Sequence, residues 1–437
     1  MLETVKNAFK VKEVRERLLF TFAMLVIIRF GSELPVPGVD RNYFSNWFAA
    51  QTSDAFSLVD AFTGGSFLNM SILALNITPY ITSSIIIQLL TIAIPKLEEL
   101  QKEGEDGRKV LSSITRYVTV ALALIESGAM AIGFGRSGLL ENYNAINVIL
   151  CMAVLTAGSA FLMWIGERIT DRGVGNGISI VLTINIISRM PQDIVSLFRQ
   201  FVIGKSIAVG IVAAVIIIAI IVGMVVLVIL LNSAERSIPV QYARKIQGRR
   251  QIGGTTTRIP LKVNTAGVMP IIFASSLMEF PVIISTLAGY HGTGVWSEVL
   301  KYLSSSHWCN PAQIKYSIGL LVYIALLIFF AYFYTSITFN PTEIADNMKK
   351  QGGFIPGIRP GKPTAEYLTN LLNYIIFIGA VGLTIVGVLP FFFRGVFGAS
   401  VSFGGTSLII VVSVVLETIK QVESMMLVRN YKGFLND

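Results

Sequence analysis

Two cysteines and two histidines are all that 437 residues offer toward a disulfide framework, a metal centre or a histidine-based catalytic set. Cys151 falls inside a long apolar run and Cys309 in a connecting loop, so neither a disulfide scaffold nor a cysteine-held metal is expected. The histidines, His291 and His307, share one loop. The chain contains no His-Glu-x-x-His, no Gly-x-Ser-x-Gly and no P-loop. Its glycine-dense run from Gly173 to Gly177 follows no strand pattern, and it reads as a cap at the start of a helix instead of a phosphate cradle. Charge is scarce as well: 14% of residues are Asp, Glu, Lys or Arg, where soluble domains carry about 25%. An enzyme is not expected, nor a metal or other cofactor.

The chain has instead a surplus of long apolar runs. Hydrophobic residues make up 53% of it and the mean hydropathy is +0.67. About 17–25 mainly apolar residues cross a hydrocarbon core as a helix. Runs of that length are read at about 18–34, 76–94, 114–134, 146–166, 177–198, 207–231, 265–288, 316–338, 369–391 and 406–427. The first follows basic residues but precedes no small-residue cleavage site, so it is read as a retained helix. Ten spans place both termini on one side with loops 95–113, 167–176, 232–264 and 339–368. That side carries 25 of the 35 basic residues and the other side 8. The positive-inside rule then puts both termini in the cytoplasm, with 240–258 and 345–362, and leaves 40–55 and 290–312 outside.

Three features depart from a plain bundle of spans. The first outer loop ends in short apolar pieces around Thr63-Gly64-Gly65-Ser66, each too short to cross a membrane. Two readings fit: an interfacial outer loop, or a helix that re-enters and is buried in protein at a pore mouth. Polar residues decorate the second span (Asn76, Thr78, Thr82, Ser83, Ser84, Gln88), the fifth (Thr183, Asn185) and the seventh (Ser275, Ser276, Glu279), where small hydroxyl residues most often serve packing. Of the acids, Glu126, Glu279 and Glu417 alone lie clearly within spans, away from their ends, and none pairs with an intramembrane His or Asp, which argues against a proton relay. Third, aliphatic residues repeat at i, i+4, i+8 on the same helices, as Ile77, Ile81, Ile85 and again Ile178, Leu182. Such side chains either pack against neighbours and lipid or close a water-filled path by dewetting.

The cytoplasmic loops are outliers of charge and shape. Loop 232–264 holds seven basic residues against the single acid Glu235, and its residues Val240-Gln241-Tyr242, Gly253-Gly254 and Thr255-Thr256-Thr257 suit a hairpin. Loop 339–368 holds Pro356-Gly357-Ile358-Arg359-Pro360-Gly361, a shaped turn presenting one arginine. Basic loops of this kind bind anionic lipid, RNA phosphate or an acidic protein surface.

Taken in order, PVPG at 35–38, TPYITSSIIIQLL at 78–90, KEGEDGR at 102–108 and GERITDRGVGNGIS at 166–179 closely resemble one family. QGRR at 247–250, PLKVN at 260–264, FNP at 339–341, PGIRPG at 356–361 and FGGTSL at 403–408 extend the match from about Val14 to the C-terminus. The family is SecY, the channel subunit of the bacterial protein translocase.

The resemblance implies an all-α integral membrane protein with ten transmembrane helices in two pseudo-symmetric, inverted five-helix halves and a re-entrant plug helix. The halves would be 18–198 and 199–427, between a cytoplasmic N-terminus at 1–17 and a tail at 428–437. It implies a pore ring of Ile77, Ile81, Ile178, Leu182, Ile272 and Ile410; Leu182 departs from the usual isoleucine but stays aliphatic. The plug would lie at about 57–70, with Asp60, Phe62, Gly64, Gly65 and Phe67. The lateral gate would involve Ile85, Gln88, Ser275 and Ser276. Docking of the SecA motor and the ribosome would fall to Arg244, Lys245, Arg249, Arg250 and Arg359. Further implied partners are SecE, SecG, signal sequences, nascent chains and anionic phospholipid, in the cytoplasmic membrane of a bacterium. The implied activity is passage of unfolded secretory proteins across the membrane and lateral release of apolar segments into it. A secondary transporter of a small solute is the alternative, and it requires a compact site at the midplane.

Overall fold

Every one of the ten apolar runs is helical, and the sequence shows where several of these helices stop. The structure, a computed structural model, describes residues 9–40, 63–135, 138, 140, 142–203, 207–242, 245–247, 250–252, 256–287, 294–397 and 405–433. The helices are α1 (Lys12–Glu33), α2 (Thr78–Ala93), α3 (Pro95–Lys102), α4 (Glu105–Gly133), α5 (Ala145–Arg172), α6 (Gly177–Phe201), α7 (Ile207–Ser233), α8 (Met269–Leu287), α9 (Val295–Leu303), α10 (Ile318–Thr338), α11 (Pro341–Lys350), α12 (Lys362–Phe397) and α13 (Gly405–Gly433). Pro95 forces Ile94 out of the helical region, to φ −113° and ψ 110°, and the chain bends by 103° between α2 and α3. Asn340 caps α11, accepting from the backbone N–H of Thr342 and Glu343, with Pro341 at the first helical position. Among the described residues six helices are long and apolar enough to cross a membrane, or seven if the bent pair α2–α3 counts as one span.

The departure from helix is the basic loop expected to form a hairpin. Strand β1 (Glu235–Tyr242) pairs antiparallel with β4 (Thr256–Lys262), in a register running from Glu235 opposite Lys262 to Gln241 opposite Thr256. Between them β2 (Lys245–Gln247) and β3 (Arg250–Ile252) form a small antiparallel pair. Strand β5 (Gly353–Phe354) adds to the other edge of β1.

The chain divides into two compact units, Met1–Ser196 with Val282–Ser297 and Val414–Asp437, and Leu197–Pro281 with Glu298–Ser413. In the first, α2, α4 and α5 pack in succession. Ser83 Oγ donates to the Thr115 carbonyl at 2.7 Å between α2 and α4, and Ser127 Oγ lies 3.0 Å from Thr156 Oγ1 between α4 and α5. Both are interhelical hydrogen bonds of the kind small hydroxyl residues make in membranes. In the second unit, Ile238, Val240 and Leu261 of the sheet share a core with Met348 of α11, Ile355, and Leu368, Leu372 and Ile376 of α12.

Outside these cores the apolar surface is large. On α7, Ile211, Val215, Ile218, Val222, Val226 and Leu230 are all exposed. A helix apolar on every side satisfies its own backbone and belongs in lipid. A polar knot ties α9 to the segment that follows it. Glu298 accepts from Lys301 Nζ at 3.0 Å, Tyr316 Oη at 3.0 Å and Lys315 Nζ at 3.4 Å. Those hydrogen bonds, Lys301's first and Tyr316's next, hold its carboxyl well below the usual range, at about 2.

The glycine run 173–177 joins α5 to α6, as its sequence suggests. The Asn176 side chain accepts from the N–H of Ile178 at 3.1 Å and of Ser179 at 3.3 Å, while Thr21 Oγ1 on α1 accepts from the N–H of Val174 at 3.1 Å.

Candidate functional site

On α2 the residues split cleanly by face. Pro79, Ser83, Ile87 and Thr91, four apart, form its buried stripe. Ile81 and Ile85 are half-buried and Gln88 is exposed, so the ring and gate candidates share a different face. The same division holds on α8: Ile271, Ala274 and Met278 are buried, while Ile272 and Ser275 are half-buried and Ser276 is exposed. Aliphatic and small polar residues thus lie together along the less buried stripe of each helix. Three of the remaining four ring candidates are deeper. Ile77, at the N-cap position of α2, is 0% exposed, Leu182 is buried on α6, Ile178 is half-buried one turn before it, and Ile410 on α13 is 2% exposed. Ile77, Ile81, Ile178 and Leu182 belong to the first unit, and Ile272 and Ile410 to the second.

The plug candidates Asp60 and Phe62 lie outside the described residues. From residue 64 to 77 the chain runs in turns, broken by a β-bridge of Ser71 to Pro35, and not as a helix. It is not a surface loop, because Phe67 and Met70 are buried in a core with Ala123, Met130 and Leu155. Two glycines allow this packing. Gly64 has φ +66°, and a Cβ there would lie 2.6 Å from the Asn185 carbonyl oxygen on α6. A Cβ on Gly158 of α5 would lie 2.0 Å from the Ile72 carbonyl oxygen, against backbone that cannot give way. Gly158→Ala is therefore expected to lower the unfolding midpoint of the purified protein, at a cost of about 1–3 kcal/mol for overpacking. Gly223→Ala on α7, where a Cβ meets nothing within 4 Å, should leave it unchanged or raised; equal midpoints for both variants would refute the close approach.

A polar group missed by pattern reading sits at the junction of these pieces. Asn185 Nδ2 donates to Asn76 Oδ1 at 3.0 Å, and Ser159 Oγ on α5 donates to the Asn76 carbonyl at 3.1 Å. Both asparagines are buried, at 1% and 2% exposure, and Asn76 takes φ +52°, a left-handed conformation that asparagine tolerates. Sequence flagged both residues as polar decoration, but 109 positions separate them and no periodicity links them. Arg29 Nη1 donates to the Gly64 carbonyl at 3.4 Å, so the same segment is also tied to α1.

Of the docking candidates, Arg244 and Arg249 lie outside the described residues. Lys245 begins β2 and Arg250 begins β3, paired with Ile252 and Gln247 respectively. Arg359 is exposed in the turn between β5 and α12. The sheet brings the two basic loops together, since Gln241 and Tyr242 of β1 pair with Phe354 and Gly353 of β5. Beside Arg359 a groove of about 600 Å³ is lined by Asp346, Gly361, Lys362 and Glu366. No group of three or more His, Cys, Asp or Glu suited to a metal occurs among the described residues.

Comparison with known proteins gives a consistent result. The family model described as SecY matches residues 71–419. The protein translocase subunit SecY of Streptomyces galbus is 44% identical, that of Halalkalibacterium halodurans 42% and that of Mycobacterium bovis 40%, each covering the whole of both chains. Among solved structures, a protein-conducting channel aligns with a TM-score of 0.60 at 18% identity over 96% of each chain. Sec61 from a canine ribosome–channel complex aligns with a TM-score of 0.61 at 17% identity, again over 96% of each chain.

Proposed function

This chain belongs to the SecY family, and from that premise we infer how its residues serve a protein-conducting channel. It is a subunit of a translocase and a multi-pass membrane protein, and it is neither an enzyme nor a carrier of small solutes. All ten apolar runs span the cytoplasmic membrane of a bacterium, with both termini inside, as the distribution of basic residues favours. Ile77, Ile81, Ile178, Leu182, Ile272 and Ile410 close the path at rest, and the segment about 57–70 plugs it. An apolar constriction repels water and ions yet yields around an extended polypeptide, because aliphatic side chains make no bond that must be broken. Ile85 and Gln88 on α2 and Ser275 and Ser276 on α8 flank a side opening. Through it a signal sequence or nascent membrane helix partitions into lipid by its own hydrophobicity.

The chain holds no energy source. Work comes from a motor ATPase of the SecA kind, or from the ribosome, docked on the platform that joins β1–β4 to the Arg359 turn. Small SecE-like and SecG-like subunits and anionic phospholipid complete the assembly. The observation that carries this reading is the pair of stripes, Ile81–Ile85–Gln88 on α2 and Ile272–Ser275–Ser276 on α8, each left aside by its helix's buried face.

A photo-crosslinker at Ile81 or Ile272 is expected to capture a secretory precursor arrested in transit. One at Ile218 on the lipid-exposed α7 should not. Adducts from Ile218 alone would overturn the assignment.

A further inference from the structure

The ring-bearing helices of the first unit are joined by one buried amide pair. Asn76 immediately precedes Ile77 at the start of α2, and Ile81 follows one turn later. Asn185 lies three residues after Leu182 and seven after Ile178 on α6, so all three share one side of that helix. Its Nδ2 reaches Asn76 Oδ1 at 3.0 Å, while Ser159 Oγ holds the Asn76 carbonyl at 3.1 Å. The same Asn185 seats the segment before α2, because its backbone carbonyl stands 2.6 Å from where a Gly64 Cβ would be. Ser188 Oγ donates to that carbonyl at 2.7 Å, which keeps it hydrogen-bonded beneath the glycine.

We propose that Asn76 and Asn185 are positioning residues for closure. Their amide bond fixes the register of α2 on α6 and so sets Ile77 and Ile81 against Ile178 and Leu182, while Asn185 also seats the end of the plug segment. Neither amide meets the translocating chain in this role; each acts through the aliphatic side chains beside it. The inference rests on the reading of those four residues as part of a pore ring. Asparagine suits position 76 twice over, since it tolerates the positive φ and supplies the acceptor. The tie is also breakable. Hydrogen bonds between membrane helices are individually weak, which fits a contact that must release when the path opens.

The experiment measures resting potassium efflux from vesicles holding the translocase with the full chain, at matched amounts of folded protein. Asn185→Leu removes the donor at similar size, and Asn76→Gly keeps the backbone conformation while removing the acceptor. Each is expected to raise resting efflux about threefold, the scale of one interhelical hydrogen bond. The double variant should leak no more than either single, because both remove the same bond; a product of about ninefold would mean the two residues act separately and would overturn the pairing. A purely structural role would lower the unfolding midpoint and abundance without changing efflux per folded channel, and that result also overturns the proposal. An Ile81→Asn, Ile272→Asn chain in the same vesicles separates the two levels. If it leaks while the asparagine variants stay tight, the amide pair is wrong and the ring stands. If it too stays tight, the ring reading itself has failed.

Discussion

Resting potassium efflux is expected to rise by on the order of tenfold in the Ile81→Asn, Ile272→Asn double variant, because each new amide offers water donors and an acceptor where the parent offers only methyl groups. Tenfold corresponds to about 1.4 kcal/mol off the wetting barrier, within the ~1–3 kcal/mol that a buried polar group without a partner costs in proteins. The choice of positions follows from burial. Ile81 and Ile272 are half-buried on stripes apart from their helices' buried faces, so an amide there disturbs little core. Ile77 and Ile410 are 0% and 2% exposed, and an amide at either would burden folding before it reported on the path. Ile271→Asn is the internal control: that side chain is fully buried in the stripe it shares with Ala274 and Met278, so it should lose abundance instead of gaining leak. Parent conductance at parent abundance in the double variant would mean that Ile81 and Ile272 do not line the path, and that they serve packing or lipid contact only.

How much of this was legible in the sequence depends on the range of the interaction. The ten apolar runs coincide with helices because length and apolarity are local properties that the hydrocarbon core selects directly. The kink after α2 was encoded at Pro95, and the hairpin in β1–β4 by alternating residues and glycines around a basic stretch. Ends were harder to read. The run at 369–391 is the middle of α12, whose 36 residues continue past the apolar stretch at both ends, where helix propensity and tertiary packing persist but hydropathy fades. Residues 63–77 were least legible. Pattern alone left a surface loop open, yet Phe67 and Met70 are core residues. Their burial depends on Gly64 meeting α6 and Gly158 meeting residue 72, contacts that span more than 80 positions and leave no periodic trace. The Asn76–Asn185 bond is invisible for the same reason: each residue looks like ordinary polar decoration until the fold sets them side by side. The pore ring, plug and docking roles came from resemblance to a family, because spacing cannot distinguish an aliphatic side chain that faces water from one that faces lipid.

Arg359→Glu is expected to reduce motor-driven translocation into vesicles by about thirtyfold or more, while the chain still inserts and folds. Disrupting a charge pair at an interface costs ~2–5 kcal/mol, and 1.4 kcal/mol is about tenfold in affinity. The position suits such a contact because its backbone is fixed and its side chain is free to reach outward. Thr364 Oγ1 donates to the Arg359 carbonyl at 2.8 Å, and the Ile358 N–H donates to the Ile355 carbonyl at 3.0 Å. Ile355 is buried against Ile238, Val240 and Leu261 of the sheet, so the turn shares a rigid base with β1 and β4. Gly357 and Gly361, at φ +85° and +99°, turn the chain tightly on either side of the arginine. Since Arg359 is exposed, a change there should alter stability by no more than ~0.5 kcal/mol. Arg359→Lys keeps the charge but loses the planar fork, so it should fall between parent and Glu. Measuring motor binding and translocation separately locates the defect: weaker binding with normal turnover once the motor is saturating places Arg359 at the docking surface. Normal translocation by the Glu variant at normal abundance would show that the partner does not engage this turn.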